Sequence, residues 1–290
     1  MNVRLSLPIA VLLSAACLPA VQRYPVTGLI IKTDPAHRSF VASCTAIPGY
    51  MEAMAMPFTV RDDKQLKGIA PSILVDFTLV VTDRDSYAEN LRVHHFLSVE
   101  QEPAEVRSLQ ILSGPADPAT GHLGLSLGDA VPDFTLTDQS RQQVSLSQFA
   151  GKIVVAAFVY TSCPLPNFCF RLSNNLGRQK RFSARLGRDL IFLSVSIDPV
   201  HDTPEVLAKY AATWKADSKA WHFLTGPRQQ VNDVCHRFGV EAWQGEGSLT
   251  HSLHTIVIDR QRKLAANFEG NEFTADQLGD FVDAQLRQDK

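Results

Sequence analysis

The run Lys152-Ile-Val-Val-Ala-Ala-Phe-Val-Tyr160 is apolar at nearly every position. A strand with one wet face alternates apolar and polar residues, so an unbroken run of this length describes a strand buried on both faces. Such a strand needs a sheet with helices on either side. Asp189-Leu-Ile-Phe-Leu-Ser-Val-Ser196 is a second run of this kind, and Thr255-Ile-Val-Ile258 marks a further strand. Helix signals fall between and after them. Thr203-Pro204 sets a cap residue ahead of a proline at the first helical position, and Val206, Leu207, Tyr210, Ala211 and Trp214 form the apolar stripe that follows. Val231, Val234, Cys235 and Phe238 make another stripe, stopped by Gly239. Leu278, Phe281, Val282 and Leu286 mark a last helix. From about residue 127 to residue 290 the alternation predicts a mixed α/β sheet covered on both faces.

The preceding stretch follows a different rule. Between residue 21 and about residue 112, short runs at Gly28–Lys32, Ser39–Ser43, Phe58–Arg61 and Ile73–Val81 are separated by turn residues. That spacing predicts a small all-β barrel. Ser113-Gly-Pro-Ala-Asp-Pro-Ala-Thr-Gly121 reads as a linker, which gives residues 113–126 to the connection. With 290 residues, 45% hydrophobic and 20% charged, the chain can bury two cores. Its formal net charge of −2 and the lack of an aromatic–basic patch argue against nucleic acid or an anionic membrane as partner.

Residues 1–20 read as an export signal. Arg4 supplies the positive flank, and Leu5 to Ala16 form an apolar core too short to span a bilayer. Ser14-Ala15-Ala16 then leads into Cys17, which resembles a bacterial lipoprotein cleavage site with Cys17 as the lipid-bearing residue. Simple cleavage and release is the alternative. Either way the expected location is periplasmic, or the outer face of the cytoplasmic membrane, where thiols meet oxidants.

Four cysteines lie beyond Cys17, namely Cys44, Cys163, Cys169 and Cys235, too few and too scattered for a disulfide scaffold. Cys235 sits on an apolar helical stripe and reads as a small buried hydrophobe. Cys163 and Cys169 are six positions apart, directly after the first buried strand and before an expected helix that Pro166 is placed to open. A thiol at a helix N-terminus has its thiolate stabilised by unpaired amides and the macrodipole. On one regular helix, residues six apart lie about 240° round from each other. Convergence of the two sulfurs therefore needs a loop over residues 164–167. A structural disulfide, a redox couple and a metal site all remain open at this point. The opening Gly128-Asp-Ala-Val-Pro-Asp-Phe-Thr-Leu-Thr137 resembles that of peroxiredoxins, but Tyr160 stands where they carry a threonine, which excludes peroxidase chemistry.

Four segments together carry a resemblance to the SCO/SenC family. They are Gly128–Phe134, Phe158-Val-Tyr-Thr-Ser-Cys-Pro164, Ser194-Val-Ser-Ile-Asp-Pro-Val-His-Asp-Thr-Pro-Glu205 and Leu249-Thr-His-Ser-Leu253. The resemblance implies a thioredoxin-like fold over residues 127–290, and copper bound by two cysteines and a histidine just ahead of a strand. Residue by residue these are Cys163, Cys169 and His251. It also implies delivery of the copper to the binuclear copper centre of a cytochrome oxidase. The family usually places three residues between its cysteines, and this chain has five. Thiolates are soft ligands suited to Cu(I), and an imidazole lets a site hold Cu(II) as well. If His251 and His254 share a strand they face opposite ways, so only one can meet the thiols. Asp198, in the segment that the family sets beside the metal, can orient a ligand or serve a turn or helix cap. His236 carries no signal, and His201 sits in a turn.

Three of the four methionines fall in Met51-Glu-Ala-Met-Ala-Met56. Core methionines are normally scattered, and clustered thioethers are soft ligands for Cu(I). On an extended segment Met54 and Met56 project from one face, and a plain hydrophobic strand is the alternative. The segment Cys44 to Phe58 resembles CusF-like copper-binding barrels. By that resemblance Met54 and Met56 supply thioethers, Cys44 stands near the family's histidine ligand, and Met51 stands at its capping aromatic residue. His94 and His95 are adjacent and would face opposite ways on a strand. The expectation is an exported metallochaperone with two copper sites, requiring no turnover chemistry. A thiol–disulfide oxidoreductase needs only Cys163 and Cys169, and copper sequestration needs both sites but no recipient.

Overall fold

The computed structural model describes residues 21–94, 124–164, 168–244 and 249–288. The expected signal, Cys17, His95 and the linker segment 113–121 lie outside them. Five antiparallel strands form the first sheet: β1 (Gln22–Asp34), β2 (Ser39–Cys44), β3 (Met54–Thr59), β4 (Leu74–Val81) and β5 (Ser86–Val93), in the order β3-β2-β1-β4-β5. Alternation along the strands sorts their side chains. Phe40, Phe58 and Phe77 cluster on one face with ring centroids 4.9–5.6 Å apart, beside buried Ile30, Ala42 and Val75. Gly28 permits the close approach of β2, since a Cβ there would lie 3.0 Å from the Cys44 sulfur.

The expected barrel is corrected: the sheet is open. Strands β3 and β5 are its edges, brought together among the described residues by a single bridge between Val60 and Ala88. The open sheet does not stand apart as a separate small barrel either. Its second face packs on the rest of the protein, and Leu29 and Ile31 belong to the larger core.

That larger core surrounds a seven-stranded sheet ordered β14-β13-β8-β9-β10-β6-β7. Its strands are β6 (Thr135–Asp138), β7 (Gln143–Ser145), β8 (Ile153–Val159), β9 (Leu190–Ser196), β10 (Trp221–Thr225), β13 (His254–Ile258) and β14 (Leu264–Glu269). A separate pair, β11 (Ala242–Gln244) and β12 (Leu249–His251), lies between β10 and β13 in the chain. Four α-helices are described: α1 (Cys169–Gly177), α2 (Pro204–Thr213), α3 (Arg228–Arg237) and α4 (Ala275–Arg287). Strands β8, β9 and β10 are parallel, and all seven residues of β8 and of β9 are buried, as their unbroken apolar runs require. The βαβ unit β8-α1-β9 and the ββα unit β13-β14-α4 join in the order β14-β13-β8-β9, which is the thioredoxin-like arrangement.

Helix α2 starts where its signals put it, with Pro204 first and the Thr203 hydroxyl accepting from the Val206 amide. Helix α4 carries a full capping box: Thr274 Oγ1 accepts from the Gln277 amide at 3.1 Å, and Gln277 Oε1 accepts from the Thr274 amide at 2.9 Å. Helix α4 is also the seam with the first sheet. Ser43 Oγ donates to Asp280 Oδ2 at 2.6 Å, and Gln277 Nε2 donates to the Ser43 carbonyl at 3.1 Å. Nearby, His94 bridges Asp76 of β4 (2.5 Å) and Glu272 of the loop before α4 (2.7 Å). No described helix is long and apolar enough to cross a membrane.

Candidate metal centre

Strand β8 ends at Val159, and the chain turns at once, with the Cys163 amide donating to the Tyr160 carbonyl at 3.4 Å. Cys163 is half-buried in that turn. Cys169 is buried and is the first residue of α1. The helix therefore opens three residues later than Pro166 suggests, and the thiol at its N-terminus is Cys169, with Cys163 in the preceding turn. Residues 165–167, including Pro166, lie outside the described residues. The two side chains nevertheless reach hydrogen-bonding distance of each other.

Their environment orders the two thiols. Cys169 is pushed well above the usual thiol range, first by its hydrogen bond with the Cys163 sulfur and then by burial. Backbone hydrogen bonds from Tyr160, just past β8, and from Cys169 itself pull the other way and are outweighed. Cys169 thus holds its proton more firmly than an ordinary thiol, and Cys163 is the more accessible sulfur of the pair. Tyr160 is buried beside them and is raised mainly by burial, then by the charge and hydrogen bond of Cys163 and by the charges of Cys169 and Asp198. Around the rim, exposed Phe170 packs on Trp214 with centroids 5.0 Å apart, and the Ser173 hydroxyl lies 3.1 Å from that of Tyr210.

Asp198 follows β9 at the same end of the sheet. Its amide donates to Ser196 Oγ at 3.1 Å, and His201 Nδ1 lies 2.7 Å from its carboxylate. Asp198 is a turn residue next to the pair. The helix cap that sequence allowed for it belongs to Thr203. A second carboxylate, not singled out from the sequence, lies closer to the turn. Asp202 is fully buried and accepts from the Thr161 amide, the Thr161 hydroxyl and the Ser196 hydroxyl. It lies in the Ser194–Glu205 segment, where its own signal is only that it precedes the helix cap, as many turn aspartates do.

His251 is the last residue of β12, its backbone opposite Ala242 of β11. Its imidazole lies outside the described atoms. Strand β13 runs antiparallel to β8 with Thr255 opposite Ala157, so the chain leading into β13 comes from the sheet end at which β8 hands over to the Cys163 turn. His251 and His254 do not share a strand. His254 is buried and bonded through Nδ1 to Asn267 (2.8 Å) and through Nε2 to Ser252 (3.1 Å), a structural histidine. Among the described residues no three His, Cys, Asp or Glu side chains converge as a ready metal cage. His201 pairs with Asp198, His236 is exposed on α3, and Cys235 is a buried thiol that desolvation pushes up to about 12.

In the first sheet, Cys44 stands directly opposite Met54, and Ala42 opposite Met56. Cys44, Met54 and Met56 therefore share a face. Met54 is half exposed, Met56 and Met51 pack partly against the aromatic cluster, and Met51 is bridged to Ile47. Cys44 is buried, and desolvation pushes it up to about 12. His94 is occupied by Asp76 and Glu272 and does not join this group.

A half-buried and a buried thiol at the junction of β8 and α1, on a β8-α1-β9 unit closed by β13-β14-α4, define a thioredoxin-like thiol protein. The SCO1/SenC family model matches residues 126–286, more than half of the chain, and the chain belongs to that family. It is 28% identical over 149 residues to the SCO1 protein homolog of Bacillus subtilis, covering 50% of this chain and 76% of that protein. A comparable likeness, 28% over 173 residues, holds for an SCO2-like protein of Rickettsia typhi, with 54% and 79% covered. Among solved structures, Arabidopsis thaliana ScoI with copper bound superposes with a TM-score of 0.47 at 22% identity, covering 56% of this chain and 99% of that one.

Proposed function

We propose that this chain is an extracytoplasmic copper-binding protein that holds copper through Cys163, Cys169 and His251 and passes it to a copper centre of a respiratory oxidase. The observation that carries the reading is the contact between the two cysteine side chains across a connection of five residues. Two sulfurs so placed, once deprotonated, are soft donors that favour Cu(I), and an imidazole arriving at the same sheet end would complete a set able to hold Cu(II). The copper bound in the Arabidopsis relative agrees with this chemistry. Copper is cargo here, so no turnover step is needed.

A second, weaker soft-donor group is proposed at Cys44, Met51, Met54 and Met56, supported by the cross-strand pairing of Cys44 with Met54. Export, with or without a lipid on Cys17, is the location this chemistry suits. The test is copper titration of the full chain. Wild type should show a sulfur-to-Cu(II) charge-transfer band that is lost in Cys163→Ser and Cys169→Ser and weakened in His251→Ala. Binding and spectrum unchanged in His251→Ala would refute the three-ligand site.

One observation favours a thiol–disulfide role instead. A half-buried Cys163 beside a buried Cys169, whose thiol is held above its usual range, is the usual arrangement of an attacking and a resolving thiol. Under that reading reductase activity on a protein disulfide survives His251→Ala and is abolished by Cys163→Ser.

A further inference from the structure

Asp202 has no solvent exposure and three hydrogen-bond donors pointed at it. The Thr161 amide donates to Oδ2 at 3.1 Å, the Thr161 hydroxyl donates to Oδ1, and the Ser196 hydroxyl donates to Oδ2 at 2.6 Å. A buried carboxylate is costly unless donors compensate it, and here each oxygen is served. What these donors have in common is their place. Thr161 lies two residues before Cys163, and Ser196 ends β9 opposite Val159, the last residue of β8. The carboxylate therefore ties the start of the cysteine turn to the neighbouring parallel strand.

We propose that Asp202 is the positioning residue of the Cys163–Cys169 pair. Cys169 is fixed independently, by its burial at the start of α1. The separation of the sulfurs depends on how the Cys163 and Cys169 ends are each held. Asp202 holds the Cys163 end. The inference rests on reading Cys163 and Cys169 as the working pair, but its test uses the thiols alone and needs no copper.

The experiment is redox equilibration of the full chain in glutathione buffers, with the Cys163–Cys169 state read by alkylation and peptide mass. As the disulfide forms, the two thiols lose two protons and two electrons, and glutathione disulfide takes both and leaves as two glutathione thiols. In Asp202→Asn the amide offers one acceptor oxygen, and its NH2 opposes donors, of which the Thr161 amide cannot rotate away. Loosening of the Cys163 end lowers the effective concentration of one thiol for the other. The expected result is a disulfide at least tenfold less favoured, a rise in potential of about 30 mV. Thr161→Val removes one of the three bonds and should shift the equilibrium less, in the same direction, while Thr161→Ser stays within twofold of wild type. Urea unfolding of each variant separates this effect from lost stability. A folded Asp202→Asn or Thr161→Val protein with an unmoved equilibrium overturns the positioning role. A wild-type chain that forms no Cys163–Cys169 disulfide overturns the reading of the pair, and this inference with it.

Discussion

Leu29 offers the sharpest test of how the two sheets are joined. It lies on β1 of the open sheet, 1% exposed, yet it belongs to the core of the seven-stranded sheet. Its cross-strand partner Ser43 faces α4, bonded to Asp280, which confirms the direction of that face. Truncation of such a leucine to alanine costs about 2–5 kcal/mol through lost burial and the cavity left behind. With a urea m-value of about 3 kcal/mol/M, a loss of about 3 kcal/mol moves the midpoint by about 1 M. The chain's three tryptophans, Trp214, Trp221 and Trp243, all belong to the C-terminal part. Their fluorescence therefore reports the unfolding of that part alone. If the core is shared, Leu29→Ala shifts the tryptophan transition by about the full amount. A tryptophan transition that coincides with wild type, while circular dichroism shows the first sheet weakened, would refute a common core and restore two independent modules.

Other consequences can be checked with similar economy. In the reduced protein at pH 8, iodoacetamide should modify Cys163 well before Cys44 and Cys235. Burial pushes both of the latter up to about 12, which cuts their thiolate fraction by about three orders of magnitude relative to an ordinary thiol. His94 is held above its usual value, first by its hydrogen bond to Asp76 and then, against burial, by the charge of Asp76 and by Glu272, while Asp76 itself is lowered. A raised folded-state value means that this stabilisation is full below about pH 6.5 and is lost as pH rises through the folded value. The stability lost in His94→Gln, measured by urea unfolding, should accordingly be larger at pH 6 than at pH 9. Thr274→Ala removes the hydroxyl half of the α4 capping box and should cost about 1 kcal/mol in the same assay.

The α/β half was legible because its signals are local. Buried strands announce themselves as apolar runs, and Thr203-Pro204 and Gly239 punctuate their helices in place. Strand β5 gave no such sign. Ser86-Tyr-Ala-Glu-Asn-Leu-Arg-Val93 is largely polar, is an edge strand, and contains Asn90 at a φ of +58° near a register shift. The open form of the first sheet was also invisible, since alternation defines which face is apolar and not whether the edges meet. In the site, Cys163 and Cys169 stood out by type and spacing, but which of them begins the helix did not. Asp202 was missed because its partner Thr161 is 41 residues away, and the tie of His94 to Glu272 spans 178. Contacts of that range leave no periodic trace.

The connection between the cysteines has a consequence for descent as well as for chemistry. Closing a loop of five residues in place of three costs only about 0.5 kcal/mol in chain entropy. Because both ends are held by the surrounding fold, insertions of that size are close to neutral for the pair. A pattern written on a cysteine spacing of three intervening residues would pass over this chain.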